Sequence, residues 1–125
     1  MEVNELRIGN MIDYGSIIGL VSVISKRQIV IKTKKSIYKD RIDEFSCIIL
    51  NDQWLLDFGF EKKSLHNINN DFYFIKDGLF FCEHTTEKIC YENRAIDIKI
   101  KYVHQWQNLY YTLTNKELTI KNNQL

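Results

Sequence analysis

The amino-acid sequence predicts an α+β fold with a small antiparallel β-barrel of the Src-homology type, a short connecting helix, and a C-terminal antiparallel meander covered by one helix. Strand-forming residues dominate the composition, with 18 isoleucines and a single alanine. Short apolar segments recur about every ten residues between polar turns, as in small β-domains. One long stretch near the C-terminus has helical spacing instead. We expect the halves, residues 1–50 and 51–125, to form one compact unit.

The N-terminal half reads as a set of short strands that closes, or half closes, into a barrel. Within residues 28–33, Ile29, Ile31 and Thr33 alternate with Val30 and Lys32, which predicts one buried and one exposed face. Gly19 interrupts an apolar run and marks a place where the strand bends or bulges. The strands are expected at 6–14, 17–24, 28–33, 37–38 and 45–50.

A short helix is expected to join the two halves at residues 53–58. Asn51 and Asp52 supply an N-cap, and Gly59 suits the left-handed position that ends a helix. Trp54, Leu55 and Phe58 are predicted to face inward.

The C-terminal half reads as a four-stranded meander. Asp77 and Gly78 form the pair that best suits a two-residue hairpin turn. The strand with the clearest alternation is predicted at 95–101, because isoleucines at 96, 98 and 100 alternate with charged residues. The other strands are predicted at 71–75, 79–84 and 87–91, with a short edge strand at 118–120, and 64–70 is expected to be a loop.

The stretch from Tyr102 to Leu118 is the longest helical pattern in the chain. Its apolar residues step by three and four positions, so they share one face that can cover the sheet. Asn115 is expected to supply the left-handed cap at the end of the helix. The residues of the apolar face are Val103, Trp106, Leu109, Tyr110 and Leu113.

Composition and cysteine usage predict a cytoplasmic protein without a membrane partner. The chain holds 17 basic and 16 acidic residues, so its overall charge favours neither nucleic acid nor an anionic membrane. The first residues are acidic and polar, so we expect no signal peptide. No apolar run approaches the ~20 residues of a membrane span, so we expect no membrane-spanning helix. Three cysteines, at 47, 82 and 90, without a CxxC pair are typical of a reduced compartment.

The hairpin from Lys26 to Arg41 is the first candidate site, for a partner or for nucleic acid. Seven basic residues lie here against one acid, Asp40, and mobile cations beside Tyr38 suit phosphate contact and base stacking. The alternative is a solvated hairpin whose lysines protect edge strands from pairing. The candidate residues are Lys26, Arg27, Lys32, Lys34, Lys35, Tyr38, Lys39 and Arg41.

The outer face of the C-terminal helix is a second, weaker candidate for partner binding. His104, Asn108, Tyr111 and Asn115 form a polar and aromatic stripe opposite Trp106. Tyrosines are enriched at protein interfaces, although the same stripe fits an ordinary wet helix face.

Metal binding and catalysis are disfavoured. Cys82, His84 and Cys90 could bind zinc together with His66 or His104, but the C-x-H-x5-C spacing is not that of a zinc knuckle, and buried cysteines explain it as well. Acid–base pairs can be imagined among Asp13, Asp40, Asp43 and Glu44, and a nucleophile and base in Cys82 and His84. Nothing in the spacing fixes a catalytic geometry, so we predict no catalytic residue, no metal and no cofactor.

Three segments of the chain carry a family resemblance. They are residues 4–10 (NELRIGN), 54–60 (WLLDFGF) and 102–110 (YVHQWQNLY), the last leading to 117–120 (ELTI). Together they resemble a family of uncharacterised small proteins encoded in Bacteroidota genomes, prophages and phages. The resemblance implies a mobile-element setting, and it assigns no chemistry to any residue. Small proteins of that setting often bind and disable host defence machinery, including CRISPR effector nucleases.

These observations together predict a non-enzymatic binding protein that acts on a host protein or ribonucleoprotein. On this view it occludes a functional surface or interferes with a guide RNA, as an anti-CRISPR protein does. The alternative is a small-barrel RNA- or DNA-binding protein that uses the basic hairpin, and a metal-dependent enzyme is a more distant one. The sequence leaves the partner and the oligomeric state open.

Overall fold

A computed structural model describes residues 5–64, 72–82, 88–92 and 94–120. These residues form two antiparallel sheets, two α-helices and a short 3-10 helix at Ile42–Glu44, so the α+β class is confirmed. The elements in chain order are β1 (Met11–Tyr14), β2 (Ile17–Ile24), β3 (Gln28–Lys32), β4 (Ile37–Arg41), α1 (Asp52–Asp57), β5 (Glu61–Ser64), β6 (Phe72–Lys76), β7 (Leu79–Cys82), β8 (Lys88–Tyr91), β9 (Arg94–Ile96) and α2 (Val103–Thr114).

The N-terminal sheet has the strand order β1-β2-β3-β4, each strand antiparallel to the next. Ile29 and Ile31 are fully buried on one face of β3, as the alternation predicts. A bulge lies between Val21 and Val23 rather than at Gly19. Gly19 is needed for packing instead, because a Cβ there would lie 2.9 Å from the Ile31 Cδ1 and 3.1 Å from a backbone oxygen.

The predicted closed barrel is wrong, because the N-terminal sheet is open. Residues 45–50 were expected to be its closing strand, but they form two isolated bridges that go to different halves. Ser46 pairs with Asp13 of β1, whereas Ile49 pairs with Tyr102 just before α2. The segment is therefore divided between β1 and the residue that precedes α2, and it adds no further strand to the N-terminal sheet.

The connecting helix α1 has the predicted caps. The Asn51 side chain accepts a hydrogen bond from the Trp54 N–H at 3.0 Å, and Gly59 has a φ of +92°. Leu55 and Phe58 are buried, and Trp54 is half-buried against the same core.

The C-terminal sheet has five strands in the order β5-β6-β7-β8-β9. Strand β5 was not predicted, since all four of its residues are exposed and it carries no alternation. Asp77 and Gly78 have φ values of +50° and +82°, as the predicted two-residue hairpin requires. The predicted loop at 64–70 and the C-terminal part of the strand at 79–84 lie largely outside the described residues.

Two predicted strands differ in the structure. The strand at 95–101 is limited to Arg94–Ile96, and Ile98 is 43 % exposed. Beyond Ile96 the chain leaves the sheet, and Lys101 pairs with residues 45–50 instead, because its carbonyl oxygen accepts a hydrogen bond from the Leu50 N–H. Residues 118–120 form no strand, although Leu118 is buried.

Helix α2 lies between the two sheets rather than over one of them. On the side of the C-terminal sheet, the centre of the Trp106 ring lies 5.4 Å from that of Phe60 and 5.3 Å from that of Phe81. On the other side, Gln107 hydrogen-bonds the Met11 N–H of β1 at 2.8 Å. Asn115, with a φ of +59°, ends the helix as predicted.

Two clusters of buried side chains make up the interior. The larger one combines both halves of the chain, from Met11 through Phe58 and Phe81 to Tyr110. The smaller one, around Ile12, Ile29, Ile31 and Phe45, lies beneath the N-terminal sheet. Across the described ranges, no helix has the length and apolar character needed to cross a membrane.

Candidate binding surface on the N-terminal sheet

The candidate hairpin residues divide between the two faces of the N-terminal sheet. Val30 pairs with Lys39, Lys32 with Ile37, and Gln28 with Arg41, so all these side chains project on the side away from Ile29 and Ile31. Val23 of β2 pairs with Val30 and joins this outer side. We call the outward residues of β2–β4 the basic face: Val23, Gln28, Val30, Lys32, Ile37, Lys39 and Arg41.

Exposed aliphatic side chains accompany the cations of the basic face. Ile37 is 69 % exposed and Val23 is 52 % exposed. Single exposed aliphatic residues are ordinary, but here they lie on the same three strands as Lys32, Lys39 and Arg41. A surface of this kind can combine apolar contact with attraction to negative charge.

The turns at both ends of β3 extend the positive charge. Lys26 and Arg27 precede the strand, and Lys34 and Lys35 follow it, all of them exposed. Five strand residues span about 17 Å, so cations are distributed over a strip of that length. The fold therefore brings all seven predicted basic residues onto one hairpin.

Few negative groups balance this strip. Among the described residues, Arg41 is the one member of the seven with an ion-pair partner, Glu44, at 3.5 Å. Asp40, the acid of the hairpin, lies on the buried side of β4 and accepts a hydrogen bond from the Tyr14 hydroxyl at 2.7 Å. That hydrogen bond holds the pKa of Asp40 below its usual value and raises the pKa of Tyr14.

Tyr38 does not belong to the basic face. It pairs with Ile31, and its ring lies 5.6 Å from that of Tyr14 against the smaller core cluster. The expectation that Tyr38 offers a stacking platform among the lysines is therefore wrong in its geometry.

The predicted polar stripe of α2 is wrong at His104. This side chain is 1 % exposed, and its ring stacks on that of Tyr102 at 5.9 Å. Its Nε2 lies 3.7 Å from a carboxylate oxygen of Glu5, too far for a hydrogen bond. Burial lowers the pKa of His104, while the negative charge of Glu5 opposes the shift.

Asn108 and Tyr111 are engaged by the N-terminal segment. The Asn108 side chain accepts hydrogen bonds from Asn10 and Arg7 and donates one to the Glu5 carbonyl oxygen. The Arg7 guanidinium lies 4.4 Å from the centre of the Tyr111 ring. Of the three proposed contact residues of α2, Tyr111 alone remains substantially exposed, at 38 %.

The cysteine and histidine cluster is only partly described. The Cys82 thiol is buried and donates to the Phe72 carbonyl oxygen at 3.6 Å, and Cys90 is half-buried on the neighbouring strand. His66 and His84 lie outside the described residues. Within the described part of the chain, no three His, Cys, Asp or Glu side chains are placed to hold a metal ion.

The carboxylates considered for acid–base chemistry have local roles. Asp13 accepts a hydrogen bond from the Ser16 N–H at 2.9 Å and so closes the β1–β2 turn. Asp40 is bound to Tyr14, and Glu44 is paired with Arg41. They therefore serve turns and strand ends.

Sequence reasoning missed the aliphatic part of the basic face and an adjoining cleft. The alternation in β3 was visible, but the pairing of Ile37 with Lys32 depends on the length of the β3–β4 turn. The cleft depends on the approach of residues more than 80 positions apart in the sequence. Comparisons of the chain with family models, with curated proteins and with solved structures gave no match.

Proposed function

We propose that this chain is a non-enzymatic binding protein whose basic face docks onto an acidic surface of a partner macromolecule. The observation that carries the proposal is the composition of that face. Three cations and three aliphatic side chains project from the same side of β2–β4, and the acid of the hairpin is turned away from them. Complementary charge steers association, and the aliphatic residues supply contact area once the surfaces meet.

A protein surface, alone or within a ribonucleoprotein, fits this face better than a bare single strand of nucleic acid. Single-strand binders present aromatic rings on which bases stack. The hairpin tyrosine, Tyr38, is turned toward the core, and the exposed apolar groups are the aliphatic Val23 and Ile37.

The proposed setting is a phage or another mobile element acting in the host cytoplasm. It rests on the resemblance of residues 4–10, 54–60 and 102–110 to proteins of such elements, and on cysteine usage typical of a reduced compartment. The proposed target is a host defence protein or ribonucleoprotein, with a CRISPR effector nuclease as the leading example. The mechanism is occlusion of the surface that the target uses for its own substrate or guide RNA.

Affinity capture from the host with matched charge variants tests the proposal. The triple variant Lys32→Glu, Lys39→Glu, Arg41→Glu reverses the basic face. The control Arg94→Glu, Lys99→Glu, Lys116→Glu makes the same change in net charge on exposed residues elsewhere. We expect one host protein to be retained by the wild type and the control and to be lost from the face variant. Equal retention by all three proteins would rule out the basic face as the contact.

Direct binding of nucleic acid is a second candidate, favoured by the spread of cations. Charges in both turns and along β3 form a strip about 17 Å long, enough to meet several phosphates of a backbone. Fluorescence anisotropy with labelled RNA and DNA at 50 and 200 mM salt tests it. A phosphate-driven complex should weaken steeply over that range, and absence of binding at low salt would exclude this candidate.

A further inference from the structure

A cleft opens beside the basic face, between the β3–β4 turn and the segment at residues 117–120. Its volume is about 530 Å³, within the range of ligand-binding pockets. Its floor is apolar and includes Met11, Leu20 and Leu118, while Ile8 and Ile120 contribute further apolar surface. Ile8 is 60 % exposed, so a large aliphatic side chain stands at the cleft open to solvent.

The charged groups of the cleft are unequally neutralised. Glu117 is paired with Arg7, so its negative charge is compensated within the chain. Lys32 and Lys34 also line the cleft, and neither has an ion-pair partner among the described residues. An occupant with an aliphatic group and nearby carboxylates would complement both the apolar floor and these lysines.

One wall of the cleft is irregular backbone. Residues 117–120 belong to no strand or helix, and the described structure shows no backbone hydrogen bond from Leu118, Thr119 or Ile120. Unpaired N–H and C=O groups beside a groove favour an occupant that has a backbone of its own, as in peptide recognition by strand addition.

We infer that this cleft is the docking site for an extended acidic peptide segment of a partner protein. One aliphatic side chain of the segment enters the cleft, and carboxylates on either side of it meet Lys32 and Lys34. The inference rests on the proposed function, because Lys32 belongs to both surfaces and the segment is taken as part of the same acidic partner. It adds an apolar anchor to what would otherwise be attraction between charged surfaces.

Designed peptides test the cleft without knowledge of the partner. The probe is a fluorescein-labelled nonapeptide of alternating glutamate and glycine with a central leucine, and a second peptide has serine in place of that leucine. A third has the leucine but glutamine in place of each glutamate. Binding is followed by anisotropy and by amide chemical shifts in NMR spectra of the full chain.

We expect the acidic leucine peptide to bind at least about tenfold more tightly than the serine peptide, since burial of a leucine side chain is worth one to two factors of ten. Its largest shifts should fall on residues that line the cleft. Equal binding of the leucine and serine peptides would overturn the apolar anchor. Equal binding of the acidic and glutamine peptides would overturn the role of the lysines, and no binding of any peptide would overturn the inference as a whole.

Variants of the protein separate this inference from the proposed function. Ile8→Asp places a carboxylate at the cleft on an already exposed residue, and Ile49→Asp is its matched control, because Ile49 is 63 % exposed beside a different cleft. We expect Ile8→Asp to weaken the leucine peptide about tenfold or more and Ile49→Asp to leave it unchanged. An equal effect of both would overturn the inference.

The double variant Lys39→Glu, Arg41→Glu should weaken capture of the host partner while retaining most of the affinity for the peptide, because neither residue lines the cleft. If the double variant loses capture but the wild type binds none of the peptides, the inference alone is overturned. If the leucine peptide binds but the double variant captures the host partner as well as the wild type does, the proposed function alone is overturned. Two further results would assign the cleft to another occupant and overturn the inference. One is a dimer of the wild type that Ile8→Asp abolishes, and the other is binding of decanoate when all the peptides fail to bind.

Discussion

Gln107 joins helix α2 to the N-terminal segment through both atoms of its side-chain amide. Its Oε1 accepts the Met11 N–H at 2.8 Å, and its Nε2 donates to the Gly9 carbonyl oxygen at 3.1 Å. The residue is fully buried, so no solvent replaces these bonds when the side chain changes. Asn10 and Asn108 extend the same connection.

Gln107→Leu keeps the volume but leaves two backbone groups without partners. Each unsatisfied buried group costs about 1–3 kcal/mol, so we expect the free energy of unfolding to fall by about 2–6 kcal/mol in urea titrations. Gln53→Leu on α1 is the control, because this exposed amide donates a hydrogen bond to the neighbouring Asp57 on the same helix. It should change stability by less than about 0.5 kcal/mol. Equal effects of the two changes would contradict the role given to Gln107.

His104 makes stability depend on pH in the acidic direction. Its pKa in the folded state is lowered, chiefly by burial, from the ordinary value of 6.5. Below pH 6.5, His104 is protonated in the unfolded chain but still largely neutral in the folded chain. The free energy of unfolding therefore falls as the pH falls toward the folded-state pKa. At neutral pH both states are deprotonated, and this destabilisation is absent.

The measurement is urea unfolding at pH 7.5 and 5.5 for the wild type and for His104→Gln. We expect the wild type to lose more stability between the two pH values than the variant loses, whatever the variant costs at pH 7.5. An identical pH dependence would show that His104 titrates alike in both states.

The burial of His104 and Gln107 could not be predicted from their own neighbourhood in the sequence. Helical spacing identified Trp106 and Tyr110 as an apolar face, and both are buried. The polar residues beside them are buried as well, because α2 has a sheet on each side. That second contact depends on β1, almost 100 residues away.

At the scale of elements, a side-chain hydrogen bond links the turn of the β6–β7 hairpin to α2, in addition to the ring contact between Phe81 and Trp106. The Tyr110 hydroxyl donates a hydrogen bond to the Asp77 carboxylate in the hairpin turn. Burial and this carboxylate raise the pKa of Tyr110 to about 12. The hydrogen bond from Tyr110 lowers the pKa of Asp77. Since the folded-state pKa of Tyr110 is raised, its contribution to stability is present below pH 10 and is lost as the pH rises through 12.

Tyr110→Phe should remove one late-titrating phenol from the ultraviolet absorbance titration. In the wild type, one of the seven tyrosines is expected to ionise at about pH 12, well after an ordinary exposed tyrosine. Tyr111→Phe, an exposed neighbour, should leave that late step in place. Persistence of the step in Tyr110→Phe would contradict the assignment.

Elements whose boundaries depend on local chemistry could be predicted, and those that depend on distant pairing could not. Asn51, Gly59, the Asp77–Gly78 turn and Asn115 lie where their backbone preferences place them. Residues 45–50 and 97–101 both have strand-like patterns. Instead of forming strands, they share a backbone hydrogen bond between Leu50 and Lys101, and Ser46 pairs with Asp13 of β1. Strand propensity alone does not specify the partner.

At the scale of the whole molecule, the larger core cluster contains residues from both halves. Met11 of β1 lies in the same cluster as Phe81 and Ile89 of the C-terminal sheet, with α2 between them. The pairing of residues 48–50 with 101–103 adds backbone hydrogen bonds across the same junction. The larger cluster therefore needs both halves, whereas the smaller cluster lies within the N-terminal half.

We therefore expect the chain to unfold in one cooperative transition. Tryptophan fluorescence, which reports on Trp54 and Trp106, and far-ultraviolet circular dichroism, which includes the N-terminal sheet, should give coincident urea curves. A fragment of residues 1–50 should lack stable structure. Separated transitions, or a folded fragment, would contradict a shared core.

The α+β class and the meander could be predicted at this scale, but the open form of the N-terminal sheet could not. Whether a curled sheet closes is decided by how far the following segment pairs with the free edge strand. Ser46 pairs with Asp13 of β1, but Ile49 pairs with Tyr102, which lies outside both sheets. The basic hairpin was visible as a run of charge, whereas the orientation of Tyr38 and Asp40 followed only from the register with β3.

Strand β3 has one further consequence, for the evolution of this protein. Ile29 and Ile31 on its inner side hold the fold together, while Val30 and Lys32 on its outer side make no contribution to the core beneath the sheet. On the proposed function, folding and recognition depend on alternate positions of the same strand. Substitutions at the outer positions would then change the surface offered to a partner, while Ile29 and Ile31 keep the core beneath the sheet.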